Sequence, residues 1–351
     1  MAIEERAAPT ETTATRPYAL LRAGFPYLTT LGMRRVTTYP VDIALGDEGR
    51  LYVLCRDDGA GASIRRTNWD DEDLDTISKN GTGEGQLLWP VQLLRDGGEN
   101  LYVSDEATHR VSSFGRDGSF LGSWGTEGSE PGQLDKPAGI AFDADENLWV
   151  VDSGNHRVQK FTKDGRFILG FGSHGSAEGE LNLPWGIAVD AAGDVYVGDW
   201  KNDRIQKFTA DGEFVMEFGE SGSGDGQLNR PAGMAVDAHG DVYVADRGNH
   251  RVQLFDATGR YVEQFIGDAT LSKSGRRYVL ANAKVLRGRE MTTLEHTKRL
   301  RGPSSVRLDD EGRLYIPDYG SHRIQVYQKE AYPLSADDIW APPKAPFLYN
   351  V

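Results

Sequence analysis

PAGIAFDADENLWVVDSGNHRVQKFTKDGRFILGFGSHGSAEGELNL (137–183) runs directly into PWGIAVDAAGDVYVGDWKNDRIQKFTADGEFVMEFGESGSGDGQLNR (184–230), and the two match almost phrase for phrase. Pro90, Pro137, Pro184 and Pro231 stand 47 residues apart, and each opens the same pattern. Self-similarity at a fixed period is the mark of a repeat architecture. Each copy holds four short runs, such as GIAVD, DVYVGD, RIQKF and EFVMEFG, separated by Gly, Asp and Asn at turn positions. The runs are five or six residues long and rich in Val, Ile, Tyr and Phe, and Gly interrupts every stretch that could become a helix, so they predict strands.

Four strands per repeat is one blade of a β-propeller. Weaker copies extend the series in both directions, at Pro40 (YPVDIALGDEGRLYVLC) and Pro303 (PSSVRLDDEGRLYIPDYGSHRIQVYQ), which brings the count to six. The last copy ends after its third strand, whereas FPYLTTLG (25–32) has the phrasing of a fourth strand. The expectation is an all-β, six-bladed propeller closed by an N-terminal strand, which leaves no unpaired interior edge. The domain reading is a polar N-terminal tail over 1–24, the propeller over 25–330, and a Pro-rich aromatic tail over 331–351 carrying Trp340, Phe347 and Tyr349.

Composition agrees. Gly is 42 of 351 residues, well above the usual level of about 7%, as many tight turns require. The formal charge of −14 argues against a broad nucleic-acid or anionic-membrane footprint, which needs clustered Lys and Arg. Cys55 is the lone cysteine, so no internal disulfide is available. The acidic, polar start MAIEERAAPTETTATRP does not read as a secretory signal, and no apolar run is long enough to span a bilayer. A soluble, cytoplasmic monomer is expected.

GNHRVQKF (154–161), GNHRVQLF (248–255) and SHRIQVY (321–327) resemble the NHL repeat, named for its Asn-His-Leu signature, and the resemblance spans nearly the whole chain. It implies a six-bladed propeller but no single activity, since relatives include protein-binding modules, RNA-binding modules and the peptidylglycine amide lyase. The lyase holds a metal in its channel through inward-facing histidines. Here no inner strand carries a histidine, and His174, His239 and His296 are scattered.

Residues present in nearly every blade are expected to serve architecture. Asp105, Asp152, Asp199, Asp246 and Asp318 end the second strands, with Arg110, Arg157, Arg204, Arg251 and Arg323 five residues on, a spacing suited to charge-assisted links within or between blades. His109, His156, His250 and His322 precede those arginines, with Asp203 in the fourth copy, and read as loop pins. The turns DADEN, DAAGD and DAHGD lack the spacing of a calcium loop.

Function is therefore sought in departures from the pattern. Loops between second and third strands share a face with the blade-to-blade connections, and propellers commonly place ligands there. After the opening Pro, Asp42, Gln92, Trp185, Ser304 and Ser305 break an Ala-Gly rule, and Trp200 replaces the usual Ser or Arg of its loop; these six are the candidate ligand-binding residues. Drift in weak repeats and packing between blades are the competing readings. Cys55 stands where other copies have Asp, either as a nucleophile or as filler of a small buried slot. The fifth copy is extended: 267–302 holds nine Lys/Arg against three Asp/Glu, with helical spacing, and Arg276, Arg277, Arg287 and Arg289 are the candidate partner-binding residues. It is expected either as a basic lid or docking arm or as a clamp on the propeller's acidic rim. The leading function is a binding scaffold for a protein or small polar ligand. A metal-dependent lyase or hydrolase is the alternative, with a channel calcium or zinc ion as its cofactor, although the sequence requires none.

Overall fold

The computed structural model describes residues 19–32, 36–57, 61–291 and 294–334. Tyr27–Gln328 forms one compact unit, a ring of six four-stranded antiparallel sheets. Blade 1 is Pro40–Leu45, Arg50–Asp57, Gly61–Asn68 and Asp75–Ile77; blade 2 begins at Pro90, blade 3 at Pro137 and blade 5 at Pro231. The first strand of blade 4 is Ile187–Val189. Blade 6 takes its first three strands from Arg307–Leu308, Arg313–Asp318 and Arg323–Gln328, and its fourth from Tyr27–Leu31, with Leu31 opposite Ile324. The N-terminal closure expected from FPYLTTLG is therefore present.

Residues flanking the ring form a second unit, in which Ala19–Gly24 pairs antiparallel with Glu330–Leu334. The stretch 1–24, expected to be tail throughout, thus ends in a strand. Trp340, Phe347 and Tyr349 lie outside the described residues.

The core is distributed between neighbouring blades. Trp149, Val151 and Val158 of blade 3 pack with Ile187, Val195 and Phe208 of blade 4, and the junction of blades 1 and 2 has a similar apolar seam, Leu93, Val103 and Phe114 against Tyr52, Leu54 and Ile64. Alternation along each strand sends one set of side chains to each neighbouring blade, so both faces of every sheet are buried.

Two polar networks set the blade spacing. In blades 3 to 6 the buried second-strand aspartate pairs with the arginine five residues on, at 2.7 Å for Asp152–Arg157 and 2.9 Å for Asp199–Arg204. The same aspartate accepts from the backbone N–H of the incoming connection, as Asp152 does from Asp135 and Asp318 from Arg301. The second network is the expected set of pins. His109, His156, His250 and His322 accept through Nδ1 from the N–H of Lys136, Leu183, Gly302 and Tyr39, and Asp203 accepts from Arg230. All five pins have φ between 53° and 57°, a left-handed conformation in which His and Asp are enriched. Each pin ties one blade to the connection entering the next, and His322 closes blade 6 onto blade 1.

Candidate functional site at the channel mouth

The inner strands meet in two different ways. Around blades 3 to 6 they touch backbone to backbone: Gly139 N–H donates to Trp185 O at 2.8 Å and Gly233 N–H to Ser304 O at 3.0 Å. A Cβ on Gly186 would lie 1.9 Å from Ala232 O, so only glycine permits that approach. Around blades 1 and 2 side chains bridge the strands instead. Asp42, fully buried, accepts from Leu93 N–H at 2.8 Å and from the Nε and Nη2 of Arg307, whose Nη2 also donates to Leu93 O at 3.0 Å. Gln92 Oε1 accepts from Ile140 N–H at 2.9 Å. Ser304 Oγ donates to Val41 O at 2.7 Å, while Ser305 Oγ and Gln92 Nε2 are buried without a partner.

Of the six channel candidates, Asp42, Gln92 and Ser304 are thus committed to strand-to-strand contact, and Ser305 is buried. Asp42 is not a free carboxylate. Among the described residues no group of three or more His, Cys, Asp or Glu is placed to hold a metal ion, and the repeated histidines spend Nδ1 on backbone N–H groups. The turn carboxylates likewise accept local N–H groups, as Asp190 Oδ1 does from Ala192 and Asp194. The side chains present do not fit a channel calcium or zinc ion. Cys55 is buried, and burial pushes its thiol up to about 12, which keeps it protonated and unreactive.

The other two candidates do come together. Trp185 and Trp200 have ring centroids 6.1 Å apart, and Trp200 is flanked by Lys201 at 5.1 Å and Arg230 at 5.2 Å. Trp200 belongs to a larger series, the residue that follows Cys55 in blade 1 and the second-strand aspartate in blades 2 to 6: Arg56, Glu106, Ser153, Trp200, Arg247 and Tyr319. Arg56 lies 4.4 Å from the Trp89 ring centre and Arg247 5.4 Å from that of Tyr319. Tyr39 packs on Tyr319 at 5.1 Å. Sequence reading compared the positions after the opening proline and, in this second series, singled out only Trp200. Aligning the residue after Cys55 and each aspartate would have exposed the run Arg, Glu, Ser, Trp, Arg, Tyr.

The electrostatics of the series are uncompensated. Arg56 is 5% exposed, donates from Nη1 to Pro90 O at 3.2 Å, and leaves Nε buried without a partner. Burial pushes its guanidinium below the ordinary range, and the charge of Arg247 acts in the same direction. Arg247 is lowered too, by burial and then by Arg230. Neither arginine has a carboxylate within ion-pair distance among the described residues. Glu106, the acid of the series, is itself pushed up by burial, which weakens it as a counter-charge. Arg56 is thus a buried cation and Arg247 a half-buried one, and each is edged by an aromatic face, Trp89 and Tyr319.

A second depression, of about 260 Å³, lies at the far ends of the first strands. Its walls include Ala44, Leu93, Leu94, Leu308 and Arg307. Leu94 and Arg307 stand where the regular blades carry Ala141, Ala188 and Ala235, and the gap between them lies over Ala44.

The insertion begins after the last strand of blade 5, and its base is zipped by Leu300 N–H to Ile266 O at 3.0 Å. Helix α1 (Lys273–Leu280) is capped by Ser272 and α2 (Ala283–Glu290) by Asn282; α3 is Glu295–Lys298. Thr270 contacts Tyr27 of the outermost strand of blade 6, Ser274 N–H and Oγ donate to Asp71, and Lys273 pairs with Asp70. These anchors clamp the start of α1 to blade 1 and Thr270 to the outermost strand of blade 6.

The chain matches the NHL repeat family over residues 134–161, 181–208, 228–255 and 300–327, which take in the first three strands of blades 3 to 6. No curated protein matches the sequence. Among solved structures, it is similar to virginiamycin B lyase from Staphylococcus aureus, a catalytically inactive variant with quinupristin, at 14% identity and a TM-score of 0.55 over 90% of both chains. A gluconolactonase from Xanthomonas campestris gives 14% identity and a TM-score of 0.58 over 88% of this chain and 100% of the other. The nidogen/laminin complex gives 18% identity and a TM-score of 0.50 over 65% of this chain and 80% of that one. At these identities the likeness is one of fold, shared by enzymes and binding proteins alike. The protein is a six-bladed β-propeller built on NHL repeats.

Proposed function

We propose that the protein is a binding propeller whose channel mouth seats a small anionic ligand with a planar or aromatic body. The observation that carries this reading is the pair Arg56 and Arg247, both pushed down by desolvation and each set against a neighbouring cation, Arg247 for Arg56 and Arg230 for Arg247. An anion placed between them would supply the missing counter-charge through charge-assisted hydrogen bonds. Trp89, Tyr319, Trp200 and Trp185 would offer faces to the rest of the molecule. No metal is needed for such binding.

The test is calorimetric titration with 4-hydroxybenzoate, with its neutral amide, and with inorganic phosphate. The carboxylate should bind and the amide should not, because only the former neutralises the arginines. Arg247→Met should weaken carboxylate binding by roughly tenfold or more, as expected for one charge-assisted hydrogen bond. Equal binding of the amide, or undiminished binding by the variant, would refute the reading; phosphate binding alone would keep the anion seat and reject the aromatic one.

A further inference from the structure

We infer that the α1–α2 hairpin of the insertion is a docking surface for a short acidic, apolar-bearing segment of a protein partner. This is independent of the ligand seat at the channel mouth. The segment 267–302 carries a net +6, so with −14 for the whole chain the remainder carries −20. The anchoring contacts use the two ends of the insertion: Asp268, Thr270, Lys273 and Ser274 at one end are tied to blades 6 and 1, and the backbones of Lys298, Arg299 and Arg301 at the other are tied to Asp318 and Arg323 of blade 6. Arg276, Arg277, Lys284, Arg287 and Arg289 pair with no carboxylate among the described residues. The clamp therefore neutralises little of the insertion's charge, and most of its cations are left for something else.

Apolar exposure coincides with the charge. Leu280 at the end of α1 is 63% exposed and Met291 after α2 is 89% exposed, the two highest values among the large apolar side chains described as exposed. Cations beside exposed Leu and Met match an acidic segment with apolar anchors better than they match a plain polyanion.

The size of the patch selects a short partner segment over a long polymer. Each helix has eight residues, about 12 Å at 1.5 Å per residue. Screening at physiological salt has a reach of about 8 Å, so an anionic strand or membrane extending past the hairpin would meet the field of the −20 remainder. An acidic segment of two or three helical turns stays within the basic patch.

The experiment uses the full chain and a fluorescein-labelled 10-residue peptide of Glu, Leu and Ala in a helical amphipathic order, read by fluorescence anisotropy at low and physiological salt. Binding should weaken as salt rises. The triple variant R276E/R277E/R287E should lose roughly 30-fold in affinity, and L280S/M291S should lose affinity without losing the salt dependence. All five side chains are exposed or outside the ring's core, and an unchanged melting temperature of the ring would verify that the variants fold. A single-stranded uridine oligonucleotide, vesicles containing phosphatidylserine, and the mass of the protein alone as a function of concentration serve as comparisons. No peptide binding at low salt, or equal binding by the triple variant, overturns the inference. So does tighter binding of the RNA or the vesicles that the triple variant abolishes, or self-association that it abolishes, since each assigns the patch to another occupant.

Discussion

Replacing Asp42 separates an architectural carboxylate from a functional one. In Asp42→Ala the Leu93 N–H and the Arg307 guanidinium lose their acceptor within a site where Asp42 itself is fully buried. Breaking a buried ion pair from one side costs about 3–5 kcal/mol. Arg307 keeps 17% of its side chain exposed beside the depression at the end of the first strands, so water relieves part of the loss and the lower end, about 3 kcal/mol, applies. With about 2.1 cal/mol/K of unfolding entropy per residue over the roughly 300 residues of the ring, 1 kcal/mol corresponds to about 1.6 °C, so the melting temperature should fall by about 5 °C. The double variant Asp42→Leu/Arg307→Met removes both charges and should recover most of that loss, because the paired charges together contribute little net stability. Differential scanning calorimetry of the two variants and of Arg307→Met alone reads the coupling directly. A functional carboxylate held at a cost to the fold would behave in the opposite way. Unchanged or increased stability of Asp42→Ala, or a double variant no more stable than the single one, would refute the structural assignment.

The His156 pin makes stability sensitive to acid. Burial, and then the charge of His174, hold His156 below its ordinary value of 6.5, and its Nδ1 accepts from Leu183 N–H. The unfolded chain then binds more protons between the two values, so this contribution is complete above pH 6.5 and is lost as pH falls below it. Melting curves from pH 7.5 to 5.5 should show a smaller loss in His156→Asp, which copies the native pin at Asp203; an identical pH slope would count against the pin. Cys55 should resist a thiol reagent at pH 8 in the folded protein and react fully in denaturant, whereas rapid labelling of the native chain would mean that the slot is open.

Much of the molecule was legible in the chain itself. The 47-residue spacing of Pro90, Pro137, Pro184 and Pro231, the four strand runs per copy and the FPYLTTLG phrase determine six blades and their closure, because each is a local pattern repeated in a chain that must bury both faces of every sheet. The aspartate, arginine and histidine series were also readable as architecture, since a residue present in nearly every blade does what every blade needs. The site was only half legible. Trp185 and Trp200 belong to one blade and lie close together, but Asp42 was taken by Arg307 from the far end of the chain, and a single sequence does not state which side chains reach each other across a closed ring. Arg56, Arg247 and Tyr319 come from blades 1, 5 and 6, and they meet only when closure brings the first blade beside the last. Repetition encodes the neighbours within a blade and the step from one blade to the next. Closure alone decides which irregular residues share the mouth, and whether their charges find partners there.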